Sequence, residues 1–278
     1  PVALRLRLRS DLLRPVRRVA NDPAGSAFEV DPEQEGVDVV VGEVQIAIDG
    51  DGDIDVEPRL QMADARIAAR RARLTERMRT RRAQLAKDST AGATISPEYL
   101  SRAIGEAVGK DAIIINEYPL RPDHCMREKP GTFFALGPAG GLGWGLGAAL
   151  GAKLAAPDEF VIATLGDGAY MFANPMVGHW VSAVHNLPIL TIVFNNSRYG
   201  AVRRATLSMF KDGVAGENDG RTLADLDPSP PFEDMARAQG AHAERVEKPA
   251  DLPEALARAR AVVVNERKQA LLNVITPY

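Results

Sequence analysis

Val161-Ile162-Ala163-Thr164-Leu165-Gly166-Asp167-Gly168 joins a short apolar run to a glycine-flanked aspartate, and after the 26 residues 169–194 comes Asn195-Asn196. The run 161–165 has the composition of a strand buried on both faces of a parallel sheet. Within the interval, 172–185 carries Met176, Trp180, Val181 and Val184 at helical spacing and Leu187-Pro188 closes it. A second apolar run, 189–194, then leads into the asparagines. Strand, helix and strand with a crossover of this length predict a right-handed parallel βαβ unit. Both polar motifs therefore fall at the carboxyl ends of neighbouring strands, where open α/β sheets bind their ligands.

The residue types suit a hard divalent cation. Asp167 offers a carboxylate, Asn196 a neutral amide oxygen, and Arg198, in the turn beyond, a backbone carbonyl. Mg²⁺ takes few protein oxygens and completes its shell with phosphate and water; Ca²⁺ is the alternative ion. One anionic ligand fits a metal whose remaining charge is met by a diphosphate. Gly166 and Gly168 let the main chain approach that diphosphate, and the start of the following helix favours its charge. Either motif alone reads as an ordinary turn; their joint spacing between two apolar strands makes the pair a site.

With those motifs the chain resembles the thiamine diphosphate enzymes, and 95–278, about two thirds of the chain, is similar to their diphosphate-binding domain. Ile115-Asn116-Glu117, Pro130-Gly131-Thr132-Phe133-Phe134, Gly140-Gly141-Leu142-Gly143 and the run Asn195-Asn196-Ser197-Arg198-Tyr199-Gly200-Ala201-Val202-Arg203 carry the resemblance. It is strongest to the benzoylformate decarboxylase branch and extends to acetolactate synthase. The implied fold is α/β, a doubly wound, mostly parallel sheet flanked by helices. The implied activity is a thiamine diphosphate- and Mg-dependent decarboxylase or carboligase acting on a small 2-oxo acid.

The resemblance also assigns residues. Asp167, Asn196 and the Arg198 carbonyl hold the metal, while Gly166, Gly168, Ala169, Asn196, Tyr199, Gly200 and Ala201 lie along the diphosphate. Gly140 and Gly141 lie beside the aminopyrimidine, and Leu142 props the cofactor in its bent form. His124, Val202 and Arg203 are the substrate-side candidates. Two stretches depart from the family. Tyr118-Pro119-Leu120 replaces small hydroxyl residues that serve the diphosphate, and Ala205 stands where a large aromatic covers the substrate, so the pocket differs from that for benzoylformate.

The family's catalytic glutamate comes from a separate pyrimidine-binding domain of ~150 residues, and 1–94 is too short for one. The expectation is a chain that supplies the metal and diphosphate half of an active site, as a fragment or a subunit, within a homo- or hetero-oligomer. A catalytically silent cofactor-binding module is the alternative. A dinucleotide-dependent oxidoreductase ranks below both: Gly143-Trp144-Gly145-Leu146-Gly147-Ala148 matches the G-x-G-x-x-A pattern, but no strand runs directly into it.

Upstream, 1–60 is unassigned and reads either as a remnant of a central domain or as an irregular stretch. Leu4, Leu6 and Leu8 alternate with Arg5, Arg7 and Arg9, and 37–41 and 44–48 read as short strands. Asp49-Gly50-Asp51-Gly52-Asp53 is an acidic turn, since Ile54 and Leu60 replace the glycine and glutamate of a calcium loop. The segment 61–94 comprises a charged linker helix over 62–87 and a Ser/Thr/Ala/Gly boundary over 88–94. Ile67, Leu74, Met78 and Leu85 form one narrow stripe on that helix. Its arginines would suit nucleic acid, yet the net charge is -3 and aromatics make up 5% of the chain, so a linker is preferred.

Ser96-Pro97-Glu98 opens a helix, with the proline at its first position, that continues over 99–108 and is followed by a strand at 112–115. The polar stretch 211–231 reads as a loop that orders over the active site, with a plain surface loop as the alternative. Further helix and strand alternation follows at 232–239, 243–246, 250–264 and 271–275. His179 and His185 read as packing or surface residues. The lone Cys125 excludes an internal disulfide, and no apolar run is long enough to span a membrane, which suits a cytoplasmic protein.

Overall fold

The computed structural model describes residues 37–41, 44–48, 57–135, 137, 139–217 and 224–277, with side chains from residue 64 onward. The alternating run 4–9 and the acidic turn 49–53 lie outside the described residues. The chain divides into two units, Pro1–Arg81 and Arg82–Tyr278.

In the first unit β1 (Val37–Val41) pairs antiparallel with β2 (Val44–Ile48), Val41 opposite Val44. Helix α1 (Glu57–Asp88) begins in this unit and extends the expected 62–87 at its start. Its side chains from 64 to 81 are exposed, Ile67, Leu74 and Met78 among them.

The second unit alternates strand and helix. α2 (Pro97–Val108) starts where the Ser96 hydroxyl accepts the Tyr99 N–H at 3.1 Å, with Pro97 at the first helical position. There follow β3 (Ile113–Glu117), α3 (Pro122–Cys125), β4 (Phe133–Ala135), α4 (Trp144–Ala155), β5 (Val161–Gly166), α5 (Asp167–Phe172), α6 (Pro175–Val184) and β6 (Leu190–Asn195). α7 (Gly200–Met209), α8 (Val214–Glu217), α9 (Phe232–Ala238), β7 (His242–Val246), α10 (Leu252–Asn265) and β8 (Ala270–Ile275) complete it.

The sheet has six parallel strands in the order β4-β3-β5-β6-β8-β7. Period-two alternation divides its side chains between two cores. Ile114, Ile162, Ile192, Phe194, Leu272 and Val274 pack with α2 and α10 on one face. Ile115, Ala163, Leu165, Val193 and Leu271 pack with α4, Tyr170, and Phe232 and Ala236 of α9 on the other. Burial on both faces explains why these strands read as continuous apolar runs. This is the expected doubly wound α/β fold.

Two features of the order locate the ligand face. From β3 the chain moves outward to β4 and then returns to the opposite side of β3 as β5, so β3 and β5 flank a switch point. The register sets Glu117 opposite Leu165 and Gly166 opposite Phe194, which brings the ends of β3, β5 and β6 to one edge.

Local differences from the expected elements have local causes. The helix expected over 172–185 is α6, which starts only at Pro175 because Asn174 takes a left-handed conformation, φ 51°; the short α5 before it was not expected. β4 has only three residues, of which Phe134 and Ala135 are exposed, too short to give a periodic pattern. Part of the expected loop 211–231 is helical in α8, and 218–223 lies outside the described residues.

Candidate cofactor site

Asp167 follows directly on β5 and is 3% exposed. Its Oδ1 accepts the Gly168 N–H at 2.7 Å, and its Oδ2 accepts the N–H groups of Asn196 and Arg198, each at 3.1 Å. The βαβ unit thus closes on itself: the carboxylate at one strand end is bonded to the backbone at the next. Burial pushes the Asp167 carboxyl up to about 6, and the N–H groups of Gly168, Arg198, Asn196 and Ser197 offset this only in part. The side chain has hydrogen-bond donors around it and, among the described residues, no cation paired to it.

Asn196 Oδ1 lies in the same turn and accepts the Arg198 N–H at 3.2 Å. Its neighbour Asn195 turns inward. Fully buried, it donates to Asn273 Oδ1 at 3.0 Å and to the Ser229 hydroxyl at 2.8 Å, while its own oxygen accepts the Ser197 N–H at 3.0 Å. Asn273 in turn donates to Glu233 at 2.6 Å. The two asparagines therefore differ: Asn195 ties the turn to Asn273 of β8, which in turn bonds Glu233 of α9, while Asn196 gives its backbone N–H to the Asp167 carboxylate.

The turn is held from the far side too. The Leu226 N–H donates to the Ser197 carbonyl and the Tyr199 N–H to the Ala224 carbonyl, both at 2.7 Å. Arg198 pairs with Asp225 at 3.1 Å across this short antiparallel bridge. Tyr199 then lays its ring against Gly168: a Cβ there would come within 2.4 Å of the ring. Gly200 is buried, Ala201 exposed, Val202 57% exposed and Arg203 half-buried, all on the first turn of α7. Gly166 faces open space.

A second group lies at the start of α4. Gly140 and Gly143 adopt positive φ, 62° and 88°, and Gly140, Gly141 and Leu142 are exposed. A Cβ on Gly143 would sit 3.0 Å from the backbone of Phe172 and Ala173, so this turn presses on the end of α5. Glu117, from the end of β3, is 1% exposed and accepts the N–H groups of Gly143 and, at 2.7 Å, Gly145.

The departure Tyr118-Pro119-Leu120 is built into the fold. Leu120 is 1% exposed, and its N–H donates to Asn116 Oδ1 at 3.1 Å. Tyr118 has φ 83°, is half exposed, and its hydroxyl accepts from Arg204 of α7 at 3.3 Å. The G-x-G-x-x-A stretch contains close packing: Gly145 abuts Glu117 and Leu165.

His124 lies elsewhere. It lines a cleft of about 570 Å³ with Arg82, Ser89, Gly105, Cys125 and Arg127, and that cleft takes in none of Asp167, Asn196 or Tyr199. His185 is exposed, while His179 is buried in a chain from Tyr170 Oη through its ring to Gln269, at 2.7 and 2.8 Å. Sequence reasoning missed the Glu117 clamp, the Asn195–Asn273–Glu233 chain and the 198–225 bridge. Only the first had a local signal, an acidic residue at a strand end.

Among the described residues no three His, Cys, Asp or Glu side chains converge as a metal centre. A cation at Asp167 would meet one carboxylate and neutral oxygens, a donor set that fits a metal arriving with an anionic ligand. Among the described residues no helix is long and apolar enough to cross a membrane.

Residues 122–274 match the family model described as thiamine pyrophosphate enzyme, C-terminal TPP binding domain. An acetolactate synthase of Mycobacterium avium is 28% identical over 186 residues, 66% of this chain and 29% of its own length. The acetolactate synthase large subunit IlvG of Mycobacterium tuberculosis is 34% identical over 148 residues, 53% of this chain and 24% of its own. A sulfoacetaldehyde acetyltransferase of Castellaniella defragrans is 26% identical over 189 residues, covering 66% and 30%. Among solved structures, the thiamine diphosphate-dependent 4-hydroxybenzoylformate decarboxylase of Rhodococcus jostii RHA1 superposes with a TM-score of 0.57 at 26% identity, covering 68% of this chain and 34% of that one. The chain thus spans under a third of the length of these curated relatives. With more than half of its length matched by the family model, the chain belongs to the thiamine pyrophosphate enzymes, through their C-terminal TPP binding domain.

Proposed function

We propose that this chain supplies the metal and diphosphate half of the active site of a thiamine diphosphate- and Mg-dependent enzyme acting on a 2-oxo acid, as a decarboxylase or carboligase. The observation that carries the reading is the buried Asp167 carboxylate, surrounded by backbone donors and with no paired cation among the described residues, one strand away from the Asn196 amide. A buried carboxylate without a counter-ion is costly, and a divalent cation would relieve that cost.

Asp167, Asn196 and the Arg198 carbonyl would hold the ion, with Ca²⁺ as the alternative to Mg²⁺. Gly166, Gly168, Ala169, Tyr199, Gly200 and Ala201 would line the diphosphate, and Gly140, Gly141 and Leu142 the aminopyrimidine end. When bound, the cofactor supplies the nucleophilic carbon and the electron sink of the reaction. The chain's own part is to anchor, orient and exclude water. Val202 and Arg203, on the first turn of α7, would face the substrate, with His124 the more remote candidate.

We further propose that 95–278 is the cofactor-binding domain, that 61–94 is a linker, and that a pyrimidine-binding domain or subunit completes the site within a cytoplasmic oligomer. A silent cofactor-binding fragment or subunit, needing a separate pyrimidine-binding domain, is the second reading. The test is equilibrium binding to the wild-type chain and to Asp167→Ala. The proposal expects the wild type to bind thiamine diphosphate with Mg²⁺ and the variant, still folded, to lose it. Equal binding by both would overturn the metal assignment, and preference for a nicotinamide dinucleotide would overturn the function.

A further inference from the structure

Glu117 is a buried carboxylate at the switch point that the proposed function leaves without a role. It ends β3, is 1% exposed, and has no cation paired with it among the described residues. Instead its two oxygens accept separate backbone N–H groups, Oε1 from Gly143 and Oε2 from Gly145. Burial raises the carboxyl above its ordinary range while those two N–H groups pull it back.

A neutral Ser, Thr or Asn would cap α4 without burying a charge. What a carboxylate adds is a two-pronged, charge-assisted grip that fixes direction as well as contact. The surroundings are cut to fit it. A Cβ on Gly145 would lie 2.8 Å from Glu117 Oε2 and 2.9 Å from its Cβ, so residue 145 must be glycine for the carboxylate to reach the backbone. On the other side, Gly143 at φ 88° is pressed against the backbone of Phe172 and Ala173. The turn 140–143 is thereby clamped between β3 and the far end of α5, the helix that opens with Asp167.

We infer that Glu117 is a positioning residue, which holds the turn Gly140-Gly141-Leu142-Gly143 at a set distance from Asp167 so that both ends of the cofactor are met at once. The inference rests on the proposed function, since that reading gives the turn to the aminopyrimidine end. Glu117 itself touches no cofactor atom in this account. The two ends of the ligand can be separated experimentally: inorganic diphosphate with Mg²⁺ reports the Asp167 end alone, and thiamine diphosphate with Mg²⁺ reports both.

The experiment is calorimetric titration of the whole chain with each ligand, for the wild type, Glu117→Gln and Glu117→Asp. Glu117→Gln turns one acceptor into a donor facing an N–H, and should weaken thiamine diphosphate about tenfold or more, the worth of one charge-assisted hydrogen bond. Its affinity for Mg-diphosphate should stay within about twofold, well below the effect of losing one hydrogen bond. Glu117→Asp keeps the charge but is one methylene shorter, and should show the same selective loss; it decides the matter if the Gln variant does not fold. A variant that loses both ligands in parallel, or neither, would overturn the inference and leave Glu117 a helix cap. A wild type that binds neither ligand would instead overturn the proposed function, and this inference with it.

Discussion

The ring of Tyr199 lies against Gly168 so closely that a Cβ at 168 would come within 2.4 Å of ring carbon Cδ1. Gly168 lies in α5, where alanine would ordinarily be the better helix former. The contact explains glycine here: the residue beyond the metal turn is packed directly onto the residue after the aspartate. Gly168→Ala should therefore displace Tyr199, at an overpacking cost of about 1–3 kcal/mol. The account expects a lower Tm together with weaker thiamine diphosphate binding, read by thermal unfolding and calorimetry on the same sample.

Asp167 should leave its mark on the pH dependence of the ligand-free protein. Its folded-state value, about 6, lies above the ordinary 3.8, so ionisation is disfavoured in the fold. The corresponding stability is fully present below 3.8 and is lost as pH rises through about 6. The difference in unfolding free energy between wild type and Asp167→Asn should fall by about 3 kcal/mol from pH 3.5 to 7, the equivalent of a shift of about two units. Denaturant titrations across that range check it; a constant difference would mean that Asp167 is paired in the free protein.

His179 works in the opposite sense. Burial lowers its value below 6.5, so the neutral ring is the folded form and its contribution is present above 6.5 and lost as pH falls. Gln269 donates through its Nε2 to the carbonyls of His179 and Gln239, which leaves its oxygen to accept from His179 Nδ1. The other ring nitrogen then accepts from Tyr170. His179→Ala should cost about 2–4 kcal/mol by emptying the site and orphaning its partners. Near-normal cofactor affinity of the folded variant would show the network to be structural, as the account expects.

Asn195 and Asn196 should separate in the same way. Asn195→Ala strips the Ser197 N–H and Asn273 of their partner and should cost about 1–3 kcal/mol in stability. Asn196→Ala removes a half-buried amide that holds little of the fold, so it should leave Tm nearly unchanged while weakening Mg-dependent cofactor binding. Paired thermal and calorimetric measurements on the two variants test this division.

Why the βαβ unit could be read in advance follows from its burial. Val161 to Leu165 and Leu190 to Phe194 are enclosed on both faces, so composition alone marks them as strands, and the polar residues that interrupt each run mark the ligand edge. The start of α6 at Pro175 was harder to read, because Phe172, Met176, Trp180 and Val184 keep a four-residue apolar spacing across the break at Asn174. The links between Asn195, Asn273 and Glu233 and between Glu117 and Gly145 join residues 28 to 78 positions apart, and no local pattern carries that information. Tyr118 read as a departure from a pattern; its positive φ and its bond to Arg204 emerge only in three dimensions.

The central claim is that Asp167 and the Asn196 turn form a metal-bridged diphosphate site. The most direct measurement is titration of the wild-type chain with thiamine diphosphate, once with Mg²⁺ in excess and once with the metal removed by chelation. The account predicts saturable binding with the metal and binding at least about a hundredfold weaker without it, since a buried carboxylate would then face the diphosphate unscreened. Equal affinity in the two titrations would contradict the account, because the buried carboxylate would then have no cation to hold.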